Sequence, residues 1–183
     1  METQPKDKTN FKSFFLDWIL PIGIAIVIAL LIKNFLIFQV TVPSSSMYPT
    51  IEEQDKFMIK KIYNFDNLKR GDIVVFESDE LNNTLIKRLI GLPNDHIEIK
   101  DGVVSINGEV LEEDYVKYPS NSNINKETDG TFDVPEGKYF FLGDNRANSD
   151  DARYWKNHYI DKSDIKGKVM FRSYPFDRFG KVE

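Results

Sequence analysis

Residues 18–32, from Trp18 to Ile32 (WILPIGIAIVIALLI), carry no charge. An apolar run of this kind predicts a membrane-spanning helix. Extension back through Phe14, Phe15 and Leu16 gives 19 residues with a single acid, Asp17. At about 1.5 Å per residue that helix is roughly 28 Å long, close to the hydrocarbon thickness of a bilayer. Phe35 to Phe38 can prolong it, with Lys33 snorkelling to the headgroups. Pro21 falls in the first turns, where a missing N–H costs least. Two other readings compete. A core helix apolar on every side suits so small a domain poorly. A cleavable leader needs small residues just after the apolar run, whereas Lys33 and Asn34 are followed by bulky Phe35, Leu36, Ile37 and Phe38. The expectation is an uncleaved anchor over residues 14–38.

Beyond the anchor, short apolar runs alternate with turn signals. Phe38-Gln39-Val40-Thr41-Val42 has the period of two that marks a half-buried strand. Further runs lie at 57–59, 72–76, 85–90, 97–99, 103–106, 109–111, 139–142 and 169–172. Asn107-Gly108, between two of them, is a strong hairpin signal. Strands this short and this regularly spaced predict a mainly β, antiparallel barrel or sandwich-like domain over residues 39–183. Only 161–166 suggests a helical turn, and the polar stretch 118–133 is expected to be a loop.

Composition narrows the chemistry. With no cysteine there are no disulfides, thiol nucleophiles or thiolate metal sites. His96 and His158 are the two histidines, too few for histidine-based metal binding; His96 is expected at the surface and His158 to be exposed or capping. The acids near residue 150 lack the closing glutamate of a calcium loop. No metal and no cofactor is expected. The net charge is −5, and no basic patch points to nucleic acid. The charge is uneven: Lys6, Lys8 and Lys12 outnumber Glu2 and Asp7 in residues 1–13, while 20 basic and 26 acidic side chains fall in 39–183. By the positive-inside rule, residues 1–13 are expected to be a cytoplasmic tail and 39–183 an extracytoplasmic domain at the cell membrane.

Three stretches carry candidate chemistry. Pro43-Ser44-Ser45-Ser46-Met47-Tyr48-Pro49-Thr50 begins where the first strand ends. A serine-rich linker is one reading, but prolines on both sides suggest a defined backbone. A serine nucleophile needs a base, and with histidine so scarce that base is a lysine or a carboxylate. Leu85-Ile86-Lys87-Arg88-Leu89-Ile90 supplies Lys87, flanked on its own strand face by Leu85 and Leu89. Desolvation there lowers a lysine pKa toward a usable base. An edge-strand lysine that keeps the sheet soluble is the competing reading. Arg88 stays protonated and cannot be a base. The stretch from Gly143 to Arg153 (GDNRANSDDAR) follows an apolar run directly. It is either an exposed loop with surface ion pairs or a hydrogen-bonded scaffold in which Ser149 orients a lysine.

Taken together these stretches resemble bacterial type I signal peptidases of the compact Gram-positive type, membrane-anchored serine proteases with a Ser-Lys dyad. The resemblance rests on four boxes in the family's order: Ser46-Met47-Tyr48-Pro49-Thr50; Arg70-Gly71-Asp72-Ile73-Val74-Val75-Phe76; Ile86-Lys87-Arg88-Leu89-Ile90-Gly91-Leu92-Pro93-Asn94-Asp95; and Gly143-Asp144-Asn145-Arg146 with Asn148-Ser149, Asp151 and Arg153. It implies a single anchor, a β catalytic domain, and cleavage of signal peptides from exported preproteins after small residues at −1 and −3. It implies that Ser46 is the nucleophile and Lys87 the base. Ser44 would help the Ser46 N–H hold the oxyanion, and Ser149 would orient the lysine. Asp144, Arg146, Asp151 and Arg153 match supporting polar positions. Val42, Met47, Ile51, Leu85 and Ile86 match positions lining the substrate pockets. The partners implied are preproteins and the bilayer, and the chain is expected to be monomeric. Asn94, Ala147, Ala152 and Lys156 depart from the usual residues, and Ala152 is expected to leave a gap in the polar network. An apolar flank of Val40, Val42, Met47 and Ile51 is expected to dip into the membrane.

A related Ser-Lys protease with another task, such as a self-cleaving repressor or a pilus-processing enzyme, and a catalytically idle binding module are the alternatives. The anchor and the Asp-Asn-Arg box weigh against the first, and the unbroken Ser46 and Lys87 against the second.

Overall fold

The structure is a computed structural model that describes residues 14–116 and 128–182. The chain divides into two units after Ile37. In the first, Phe15–Leu36 form one helix, α1, of 22 residues. It is α-helical over Leu20–Leu31, with wider π turns at either end. Its apolar side chains lie on every face and none is buried within the protein. That exposure does not fit the core-helix reading.

Among the described residues the second unit has eleven strands: β1 (Ile37–Thr41), β2 (Lys56–Lys61), β3 (Ile73–Ser78), β4 (Asn83–Gly91), β5 (His96–Lys100), β6 (Val103–Ile106), β7 (Glu109–Val110), β8 (Gly130–Asp133), β9 (Lys138–Leu142), β10 (Ile160–Asp161) and β11 (Ile165–Tyr174). Seven form one sheet in the order β1-β2-β11-β3-β4-β9-β10, and four form a second, β7-β6-β5-β8. The pairings β2–β11, β11–β3, β3–β4, β4–β9, β5–β6 and β5–β8 are all antiparallel.

Strands in the middle of the large sheet are covered on both faces. Along β3, Ile73 and Val75 enter one apolar cluster with Val42, Met47, Ile51, Phe57 and Ile59. Val74 and Phe76 enter the other, with Leu89, Phe140, Phe141 and Trp155. Phe76 stacks on Phe141 at 4.4 Å between ring centroids. The smaller sheet keeps the expected alternation: in β5, Ile97 and Ile99 are buried while His96, Glu98 and Lys100 face water. The hairpin signal is realised, since Asn107 and Gly108 take φ of 53° and 88° between β6 and β7. These are the left-handed angles a tight hairpin turn requires.

One expectation needs correction. Residues 118–133 are not loop throughout: Gly130–Asp133 form β8, paired with β5. Residues 117–127 lie outside the described residues. The departure at Asn94 is explained by its φ of 70°, a left-handed value that asparagine tolerates better than most residues. The helical turn expected near 161–166 is present, as a short 3-10 turn at Lys162–Asp164 between β10 and β11.

Candidate active site

The segment after β1 leaves the sheet and returns to it. Val42 N–H donates to Asp55 O at 2.9 Å and Gln54 N–H to Val42 O at 2.8 Å, closing a loop over 42–55. Within it, Tyr48 N–H donates to Ser45 O and Ile51 N–H to Met47 O. Met47 and Ile51 are wholly buried and plug the loop into the core. That packing holds the serine run in one place. Ser44 Oγ and Ser46 Oγ lie 3.4 Å apart. From the other side, Asn145 N–H donates to Ser46 O and the Asn145 side-chain amide to Ser45 O, both at 3.0 Å.

Lys87 sits in β4 opposite Val74. Its side chain is 3% exposed, and Nζ donates to Ser149 Oγ at 3.1 Å. Burial lowers its pKa to about 8, against the opposing pull of the Asp151 and Asp150 carboxylates. This is no edge-strand lysine, since β4 lies between β3 and β9.

The stretch after β9 is a scaffold, not a surface loop. Asp144 and Asp151 are wholly buried, and Arg146 and Ser149 nearly so. Gly143 N–H donates to Asp151 Oδ2 at 3.0 Å. Arg153 grips the Asp151 carboxylate through Nε at 2.7 Å and Nη2 at 2.9 Å, and also donates to Arg146 O. Arg88 holds Asp144 in a two-point contact at 2.8 and 2.7 Å. Removal of one partner of a buried pair leaves a lone charge at a cost of about 3–5 kcal/mol. Asp144→Ala is therefore expected to lower the unfolding free energy by about that amount, read from denaturant unfolding. A loss no larger than that of an exposed Asp150→Ala would show that the pair is not structural.

Glu113 and Tyr115 belong to the same network and have no local sequence signal. Glu113 bridges Arg146 through both guanidinium nitrogens. Tyr115 donates its hydroxyl to Glu113 at 2.8 Å and lies 3.7 Å beneath the Arg88 guanidinium. Burial, with help from Glu113, raises the Tyr115 pKa and keeps the hydroxyl protonated. Their place in the network is a product of folding alone, because Glu113 and Arg146 are 33 residues apart.

Ser44, Ser46, Lys87 and Ser149 line one cleft of about 890 Å³, together with Leu85, Ile86 and Tyr154. An adjoining groove is lined by Val40, Val42, Leu85 and Ile86. Met47 and Ile51 line neither and support the walls from within the core. The expectation of an apolar flank reaching into the membrane fails for Val42, Met47 and Ile51, which are at most 1% exposed. A turn has no fixed period, so its apolar residues do not reveal from sequence which way they face. Ala152 leaves no gap either: it is fully buried within the apolar cluster, and its N–H donates to Phe141 O. Ala147 is exposed at the rim of the cleft. His96 pairs with Asp133 at the surface, and His158 bonds to the Ala152 carbonyl. Among the described residues, no cluster of His, Asp or Glu is placed to hold a metal ion.

A buried lysine with a depressed pKa beside serine hydroxyls is equipped for nucleophilic acyl transfer. Comparison with known proteins agrees. The family described as "Signal peptidase, peptidase S26" matches residues 15–174. A signal peptidase I of Bacillus licheniformis is 38% identical, over 96% of this chain and 97% of that one. A signal peptidase IB of Staphylococcus aureus strain Mu50 is 34% identical, over 92% and 94%. Among solved structures, the signal peptidase I of Enterococcus faecalis V583 is 36% identical with a TM-score of 0.50, covering 57% of this chain and 97% of that one. With nearly its whole length matched, the chain belongs to the signal peptidase family, peptidase S26.

Proposed function

We propose that the chain is a membrane-anchored serine endopeptidase that removes N-terminal signal peptides from exported preproteins, with Ser46 as nucleophile and Lys87 as general base. The observation that carries this reading is the buried Lys87 amino group, held by Ser149 in the cleft that Ser46 also lines. Neutral Lys87 takes the Ser46 hydroxyl proton as Oγ attacks the carbonyl carbon of the −1 residue. The oxyanion is met by the Ser46 N–H and the Ser44 hydroxyl, each such donor being worth about 10²–10³ in rate. Lys87 then returns the proton to the leaving amine as the peptide C–N bond breaks. Water, deprotonated by the same lysine, hydrolyses the acyl-enzyme and frees Ser46. Asp144, Arg146, Asp151 and Arg153 act as the rigid backing of this machinery.

The anchor reading rests on the exposed apolar faces of α1. Residues 1–13 are assigned to the cytoplasm and the β unit to the extracytoplasmic face on the charge asymmetry. A signal peptide in the same bilayer then presents its cleavage site to a nucleophile that follows its own anchor by few residues.

Small residues at −1 and −3 are expected from the likeness to signal peptidases, with Val42, Leu85 and Ile86 lining an apolar groove beside the cleft. Full-length protein in detergent, given a signal-peptide substrate with Ala at −1 and −3, is expected to cut after the −1 residue, as read by product mass. Leucine at −1 is expected to lower kcat/KM about 100-fold or more, because a packed pocket rejects extra methylenes. Equal rates for the two peptides, or no cleavage of either, would reject the assignment.

A further inference from the structure

The loop that carries Ser46 is held at its far end by the last residues of the chain. Asp55, which closes that loop, is completely buried. Its Oδ2 accepts from Glu52 N–H at 3.0 Å, and its Oδ1 accepts from Arg178 Nη2 at 2.7 Å. Arg172 Nε lies 3.0 Å from the same carboxylate, off the angle of a hydrogen bond, so that contact is ionic. Arg172 Nη2 donates to Thr50 O at 2.6 Å, and Arg178 Nη1 pairs with Glu52 Oε1 at 2.7 Å. The two arginines are themselves fixed to each other. Arg172 and Gly180 exchange backbone hydrogen bonds at 2.7 and 3.2 Å, and Arg172 Nη1 donates to Arg178 O.

Apolar packing of equal volume stabilises a turn as well as a buried charge network does. What the charges add is direction, since Thr50 O and Glu52 N–H each receive a partner along a defined vector. None of Asp55, Arg172 and Arg178 lines the cleft, so any effect on the reaction passes through the loop. Arg178 also lies beyond residue 174, where the match to the family ends.

We infer that Asp55, Arg172 and Arg178 form a clamp by which the C-terminal segment positions the nucleophile loop, and so sets the catalytic rate and not substrate affinity. They are positioning residues, and the inference rests on the reading of Ser46 as nucleophile. Ser46 is then held from two sides: Asn145 fixes its carbonyl and the clamp fixes the loop behind it. Small errors in the placement of a nucleophile cost about 10²-fold per ångström.

The test uses full-length protein in detergent with the Ala-containing peptide, below the melting temperature of every variant. Arg178→Gln is expected to lower kcat about tenfold with KM within twofold of wild type, and Arg178→Lys to recover to within threefold. The midpoint of the pH–rate profile is expected to stay in place, because Lys87 is untouched. Arg172→Gln is expected to act in the same direction more strongly. If it does not fold, Arg178→Gln decides, because that side chain is 29% exposed. A lowered melting temperature with unchanged kcat, or a raised KM with unchanged kcat, would overturn the clamp. Inactive wild type, or an active Ser46→Ala protein, would instead overturn the nucleophile reading. Active wild type, dead Ser46→Ala and unchanged Arg178→Gln would remove the clamp alone.

Discussion

Lys87→Arg is expected to abolish peptide cleavage while leaving the protein folded. A base must be neutral to accept the Ser46 proton. An exposed lysine near pKa 10.4 is neutral in fewer than about one molecule in a thousand at pH 7. Burial brings Lys87 to about 8, which makes roughly a tenth of the molecules competent at that pH. Arginine keeps the charge at every accessible pH and accepts no proton. The loss is expected to be at least about 10³-fold in kcat, in line with the removal of a general base, and Ser46→Ala is expected to match it. The sign of the pH dependence follows from the same shift. Below pH 8 Lys87 is mostly protonated and idle, so kcat/KM is expected to rise with pH and level off above about 8. A peptide-cleavage assay decides it: activity of the Lys87→Arg protein within tenfold of wild type, or a rate that falls as pH rises through 8, would mean that Lys87 is not the base.

Gly143→Ala is expected to be nearly as damaging, though Gly143 carries no chemistry. A Cβ at this position would stand 2.5 Å from the Ser46 carbonyl oxygen, 2.6 Å from Ser149 Cβ and closer still to Ser149 Oγ. None of these neighbours can withdraw freely. Ser46 O is held by Asn145 N–H, and the Gly143 N–H is itself held by Asp151. The methyl group therefore displaces the Ser149 hydroxyl from Lys87, the Ser46 backbone, or both. Overpacking of this kind costs about 1–3 kcal/mol of stability. The rate is expected to fall about 100-fold, since nucleophile and base lose their alignment. The variant's kcat and melting temperature together test this. A folded Gly143→Ala protein with a rate within threefold of wild type would show that the cradle tolerates a methyl group.

The residues that local rules reach were readable in advance. An apolar run as long as the one around 18–32 needs no tertiary information to be recognised as a helix suited to a bilayer. Alternation marked β1, a short apolar run marked β5, and Asn107-Gly108 marked a hairpin, because side-chain direction along a strand and left-handed turns are properties of adjacent residues. The strand β8 escaped because Phe132 is the only apolar side chain in Gly130–Asp133, and its identity as a strand depends on β5. The same limit explains Met47 and Ile51, whose burial depends on how an aperiodic loop closes.

The amino-acid sequence by itself determined an apolar helix long enough to cross a bilayer, a β-rich domain, and a short set of candidate serines with a candidate lysine base, in a chain with two histidines and no cysteine. Tertiary structure decided the rest. It inserted β11 between β2 and β3, about a hundred residues after them in the chain, and so carried Arg172 and Arg178 to Asp55. It brought Asp144 to Arg88, 56 residues away, and Ser149 to Lys87, 62 residues away. It also gave Lys87 its low pKa. Desolvation depends on which strands and loops cover a side chain, and contacts between distant segments leave no period in the sequence to be read.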